Sequence, residues 1–256
     1  MRLLFLAFGF FLVLAASAVA VPDGYDRYNL ATRGDSSTES SEQRVEGVEL
    51  QGGNATSEIS QGQANTVTVK LGTLRQNVGG LKGPAIYDMI YKGLQSLCRA
   101  DPLHPGRCLP EGFRIFPVNY IDGWHGQSKE PLQVTVTDSY YGDNIALRNL
   151  MIGAIASAIQ RSTEDKKNCE KWVDIYPLNV HVIKDYCNIG DFVEVTTPNG
   201  RLVVSFQSSR RGGHYDCMAI IGKVDADVQR LMPEYNNAHG ANLMRNVICS
   251  DKGVTN

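Results

Sequence analysis

The chain has 256 residues, 43% hydrophobic and 20% charged, with a formal net charge of −2. So near-neutral a balance, with no basic stripe, argues against a nucleic-acid binder or a protein held to anionic lipid by charge alone.

Met1 to Ala20 opens with one cation, Arg2, followed by an apolar run from Leu3 to Leu14 and small residues ending Ala18-Val19-Ala20. That is the pattern of a secretory signal cut after Ala20, and the run is short for a membrane span. A secreted, extracellular mature protein is expected. Residues 21–63 are rich in Ser, Gly, Gln, Glu and Asn. They hold too few large apolar groups to offset the entropy of ordering them, so a disordered tether is expected. Within it, Leu30-Ala31-Thr32-Arg33 resembles the kexin-type sites at which fungal secreted proteins lose a pro-segment. Arg33-Gly34-Asp35 spells the adhesion tripeptide, but in a slack segment rather than a taut loop. Asn54-Ala55-Thr56 is a glycosylation sequon.

The remainder, 64–256, is expected to form a single α+β domain. Thr66-Val67-Thr68-Val69-Lys70-Leu71 alternates as a strand does, and a polar, glycine-rich loop follows. Gly83-Pro84 opens a helix whose stripe is Ile86, Met89, Ile90, Leu94 and Leu97, with Cys98 at its end. Phe113–Ile121 reads as a strand that Pro117 confines to an edge or a bulge. Leu132–Thr137 is the next strand. Asp143 or Asn144 caps a helix through Leu147, Leu150, Met151, Ala154, Ile155 and Ala158, and Tyr176–Ile183 reads as the strand after it. These are two β-α-β halves. Asn199-Gly200 predicts a two-residue hairpin turn that sets Val195 opposite Val204 and Val193 opposite Phe206. Val224–Met232 reads as a helix stopped by Pro233, and Ala241–Val247 as another. The expected fold is a mainly antiparallel sheet with helices packed on one face, ferredoxin-like or killer-toxin-like, stapled by disulfides.

Six cysteines follow the signal: Cys98, Cys108, Cys169, Cys187, Cys217 and Cys249. An even number in an oxidising compartment implies disulfides. Sequence cannot choose among the pairings, and the nearest-neighbour set is the working expectation: 98–108, 169–187 and 217–249. Close CxxC or HxxxH spacings are missing, so no metal or cofactor is expected.

No phosphate loop, nucleophile elbow, dinucleotide fingerprint or zinc-protease motif is found. The one loop with chemical potential is Ser209-Arg210-Arg211-Gly212-Gly213-His214-Tyr215-Asp216. Arg210, Arg211 and His214, with Asp216 or Glu194 as carboxylate, could serve a nuclease-like hydrolase. Arg210-Arg211 could equally be a dibasic processing site, or the loop a solvated hairpin exit. His181, between Val180 and Val182, is a weaker candidate base.

The helix, Cys98-Arg99-Ala100-Asp101-Pro102-Leu103, a glycine-bearing turn and the strand ending Val118-Asn119-Tyr120-Ile121 resemble a segment of the small secreted killer toxins of smut-fungus viruses and their cellular relatives. The resemblance implies a secreted, disulfide-stapled, non-enzymatic protein acting on a target cell, with Cys98 in a structural role. The leading expectation is therefore an effector or toxin-like protein that binds a target-cell protein or membrane component. A secreted hydrolase and a secreted inhibitor or matrix-binding module are the alternatives.

Overall fold

The computed structural model describes residues 65–99, 103–122, 126–176, 180–210, 212–239 and 242–251. Ala20, Arg33, Asn54 and Arg211 lie outside them, as do the expected signal and tether. The fold is α+β. In chain order the elements are β1 (Thr66–Gly72), β2 (Arg75–Gly79), α1 (Gly83–Leu97), β3 (Gly112–Asp122), β4 (Gly126–Tyr140), α2 (Ile145–Glu164), β5 (Cys169–Tyr176), β6 (Val180–Gly190), β7 (Phe192–Thr197), β8 (Gly200–Gln207), α3 (Ile221–His239) and β9 (Met244–Ser250). Six strands form one sheet in the order β3-β4-β8-β7-β1-β9, and β2-β6-β5 form a second. All pairings are antiparallel except β1 with β9.

The two sheets share one pair of strands. Leu71 pairs with Val193 at the end of the larger sheet, and Arg75 pairs with Gly190 at the start of the smaller. Between these pairs, residues 72–74 oppose residues 191–192, so one extra residue turns the ribbon through a corner. Glycines sit on both sides of it. A Cβ on Gly190 would lie 2.4 Å from the carbonyl oxygen of Gly72, and one on Gly72 would lie 2.9 Å from the Phe192 nitrogen. The Asp191 carboxylate accepts from the Leu74 N–H at 3.1 Å, and its carbonyl accepts from Phe206 at 2.7 Å.

The helices and the inward-facing strand residues share one core. Val67, Val69 and Leu71 of β1, Leu132 and Val134 of β4 and Leu202 and Val204 of β8 are buried with Ile86, Ile90 and Leu94 of α1. Helix α2 is buried on nearly every side, from Leu147 to Thr163, as befits the central helix of a layer that α1 and α3 flank. Asn144 caps it, accepting from the Leu147 N–H at 2.8 Å.

The disulfides are Cys98–Cys108, Cys169–Cys187 and Cys217–Cys249, the nearest-neighbour set. By loop length alone each contributes about 3–4 kcal/mol.

Several elements differ from expectation. Residues 75–79 of the supposed loop are strand β2, which pairs with β6 more than a hundred residues later. The expected strand Tyr176–Ile183 is instead the end of β5 and the start of β6, with Pro177 and Asn179 in the sequence between them. The β7–β8 turn is Pro198-Asn199, with Thr197 opposite Gly200, Val195 opposite Leu202 and Val193 opposite Val204. The shift is two residues, so each side chain keeps its face. Gly200 answers crowding rather than turn geometry, since a Cβ there would lie 2.8 Å from both Leu147 and the Tyr140 carbonyl. Helix α3 continues through Pro233 because Met232 and Tyr235 on either side are both buried. Residues 244–250 are strand β9, not helix, laid parallel along the β1 edge.

Gly190→Ala should lower the stability of the protein by about 1–3 kcal/mol through overpacking at the corner. Gly222→Ala, where a Cβ meets nothing within 4 Å on helix α3, should raise it by about 0.5–1 kcal/mol. Urea denaturation of the two variants checks both signs.

Candidate functional site

The loop from Ser208 to Asp216 leaves β8 and crosses β2 and β6, so its position depends on the corner. Polar groups fasten it along its length. The Ser208 N–H donates to the Gln76 side chain at 2.9 Å, and the Arg210 N–H to the Ser208 hydroxyl at 3.1 Å. Asn77 donates its backbone N–H to the Arg210 carbonyl at 3.2 Å and its amide to the Gly212 carbonyl at 3.3 Å. Gly213 has φ +88°, and a Cβ there would lie 2.3 Å from the Asn188 amide nitrogen. Only glycine suits both demands. The Asp216 N–H donates to Asn168 at 2.6 Å.

Where the loop meets the corner, Thr73, Leu74, Arg75, Gln76, His214 and Tyr215 line a cleft of about 320 Å³. His214 is exposed on its rim. The Tyr215 hydroxyl reaches inward to Ser162 and the Gly190 backbone, and burial pushes its pKa up to about 12. It is a neutral anchor, not a base.

The expected site residues do not converge. The Arg210 guanidinium turns to Glu130 on β4 at 2.9 Å, and the Ser209 hydroxyl contacts the same carboxylate. Asp216 accepts from the Ala219 N–H at the start of a 3-10 turn and pairs with Lys167 at 3.3 Å. Glu194 lies in the larger sheet, 2.9 Å from Arg201 and 3.4 Å from Lys70, and Arg201 also holds Asp138 at 2.6 Å. His181 pairs with Ile175 in the β5–β6 ladder. His214 therefore shares its cleft with Arg75 rather than with Arg210. Arg75 escaped the sequence reading because β2 did. Among the described residues no group of three His, Cys, Asp or Glu side chains could hold a metal ion, and every cysteine is bridged.

A second surface is formed by residues 98–99 and 103–108, joined by the Cys98–Cys108 bridge and held at their backbone by neighbouring side chains. The Tyr141 hydroxyl lies 3.0 Å from the carbonyls of both Cys98 and Arg107, and its N–H donates to the Gly106 carbonyl at 2.8 Å. Arg148 donates to the Cys98 carbonyl at 3.2 Å, and the Cys108 N–H donates to the Ser139 hydroxyl at 2.9 Å. Gly106, at φ +68°, abuts Gly142, where a Cβ would lie 2.5 Å from the Gly142 Cα. Ser139 lies at the end of β4 and Tyr141 just after it, before the Asn144 cap of α2. Tyr141 is buried as loop packing, while Tyr140 stands exposed.

The chain matches no protein-family model, no curated protein and no solved structure.

His214→Ala should change stability by less than about 0.5 kcal/mol, since the side chain is exposed. Tyr215→Phe, which removes the hydroxyl's partners, should cost about 1–2 kcal/mol. Thermal denaturation separates the two. Glu194 gives a pH signature. Burial would raise its pKa, but Arg201 and Lys70 overcome this and hold it below the usual glutamate value. A lowered folded pKa means that the network's stabilisation is present above the unfolded value and lost as pH falls through the folded one. Denaturation between about pH 5 and pH 3 should thus show a steeper loss for the native chain than for Glu194→Gln.

Proposed function

We propose that the protein is an exported effector or toxin-like protein that acts on host or competitor cells by binding rather than by catalysis. The observation behind this reading is the use of the one chemically rich loop. Arg210, Ser209, Asp216 and the backbone of Gly212 all hold the fold together. A charged group already paired at a structural position is poorly placed to stabilise a reacting anion. Three disulfides fit an oxidising compartment. None of the described helices is long and apolar enough to cross a membrane. The killer-toxin-like segment, Cys98 to Leu103 with Val118-Asn119-Tyr120, points the same way. Cys98 is bridged to Cys108 and its carbonyl is held by Tyr141 and Arg148, and anchoring of this kind lowers the entropic cost of docking.

One observation favours a second reading. His214 and Arg75 line one cleft, and a histidine with an arginine can provide acid–base chemistry and anion stabilisation at a phosphodiester.

The readings separate cleanly. The purified exported protein, added to foreign cells, should kill or stunt them, and His214→Ala should do so equally. It should leave added RNA intact. RNA cleavage by the native chain that His214→Ala abolishes, with the fold intact by circular dichroism, would overturn the binding reading.

A further inference from the structure

Strand β2 stops where it is wedged between two others. Gly79 pairs with Cys187 of β6, and a Cβ on it would lie 2.0 Å from the Asn119 carbonyl oxygen of β3. The Gly80 N–H donates to that same oxygen at 3.2 Å. The chain then turns away, the Leu81 N–H donating to the Val78 carbonyl at 3.2 Å, and enters α1. A cleft of about 370 Å³ lies where β2 leaves. Ile183–Tyr186 of β6, Pro117 and Asn119 of β3, and Gly80–Lys82 line it.

The β6 side of this cleft is an open strand edge. Cys169 and Cys187 face each other with Cα atoms 4.0 Å apart, the closer spacing of a pair that exchanges no ladder hydrogen bonds. Cys187 therefore turns its N–H and C=O away from β5, and by alternation so do Asp185 and Ile183. Gly79 faces Cys187, but among the described residues no strand reaches Asp185 or Ile183 on that side. Two N–H and two C=O groups of β6 thus point toward the cleft. Strand β3 offers less, since Pro117 has no N–H and the Asn119 carbonyl is taken by Gly80.

The side chains give this edge a preference. Ile183 is 64% exposed on one face of β6, and Lys184 lies on the other. Asp185 does not set the charge, because Lys82 binds it at 2.6 Å and Lys171 stands opposite it. The lining carries two lysines against that one aspartate. An added strand alternates its faces as β6 does, so an acidic residue next to an apolar one would meet Lys184 and Ile183 in turn.

We propose that this cleft takes an extended peptide of a partner protein, seated along Ile183 and Asp185 of β6 in the row that β2 leaves, with an apolar residue next to an acidic one. This rests on the binding reading and names its surface.

Amide hydrogen exchange of the full exported chain, with and without the peptide acetyl-Ser-Val-Glu-Val-Glu-Val-Ser-amide, tests it. In the free chain the Ile183 and Asp185 amides should exchange faster than those of Lys184 and Tyr186, which face β5. Saturating peptide should slow Ile183 and Asp185 at least about tenfold and change Lys184 and Tyr186 little. Methylating every valine and glutamate nitrogen of the peptide should abolish this. Lysine in place of its glutamates should weaken binding about fivefold, and Lys184→Glu should reverse that preference, with a near-native melting temperature excluding unfolding. Exchange at Ile183 and Asp185 unmoved by the peptide, or slowed equally by its methylated form, overturns the proposal. If target cells still respond in that case, recognition lies on another surface and the binding reading stands. RNA cleavage that depends on His214 sinks that reading whatever the peptide does.

Discussion

Gly72 and Gly190 meet at the corner where two paired strands pass from one sheet into the other, and most of the molecule is arranged around that meeting. With a side chain at either position the backbones could not approach so closely. With glycine at both, β1–β2 and β6–β7 form one continuous antiparallel ribbon with a single extra residue at the bend. The larger sheet then lies under the helices, while the smaller sheet carries the Ser208–Asp216 loop. Tyr215 ties that loop back to the corner through its hydroxyl at Gly190. The cleft beside His214 is a consequence of the bend, since Thr73–Gln76 form one wall of it.

The disulfides reinforce neighbourhoods that packing has already defined. Cys169 and Cys187 are cross-strand partners in β5–β6. Cys217–Cys249 links the 3-10 turn that precedes α3 to β9, the strand that returns along β1. It closes a unit on itself, so α3 and β9 are held to the body by packing and by the parallel ladder. Cys98–Cys108 serves a different end. It joins two stretches whose Cys98 and Arg107 carbonyls are taken up by Tyr141 and Arg148 and whose Arg99, Leu103, His104 and Arg107 side chains are exposed.

What the sequence disclosed follows from where the stabilising contacts lie. Helices α1 and α2 were legible because their apolar spacing and caps are local, and Pro117 correctly marked β3 as an edge strand with a bulge. Strand β2 was not legible, because Arg75–Gly79 has no pattern of its own and is ordered by β6. Leu243, Met244 and Val247 have helical spacing, yet the open edge of β1 takes that segment as a strand. The Asn199-Gly200 preference lost to Pro198 and to the crowding at Gly200. Of the candidate site, His214 and its glycine loop stood out, but Arg75, which lines the same cleft, is placed by the pairing of β2 with the distant β6.

If the corner governs the architecture, the two sheets must open together. Native-state hydrogen exchange reads this directly at the Leu74, Asn77 and Phe206 amides, whose acceptors lie at the corner and in the crossing loop. The expected result is protection equal to that of the slowest amides in the β1–β7 ladder, with all lost in one global unfolding. Exchange at Leu74 and Asn77 through an opening that frees the β2-β6-β5 sheet while the larger sheet stays closed would contradict the account.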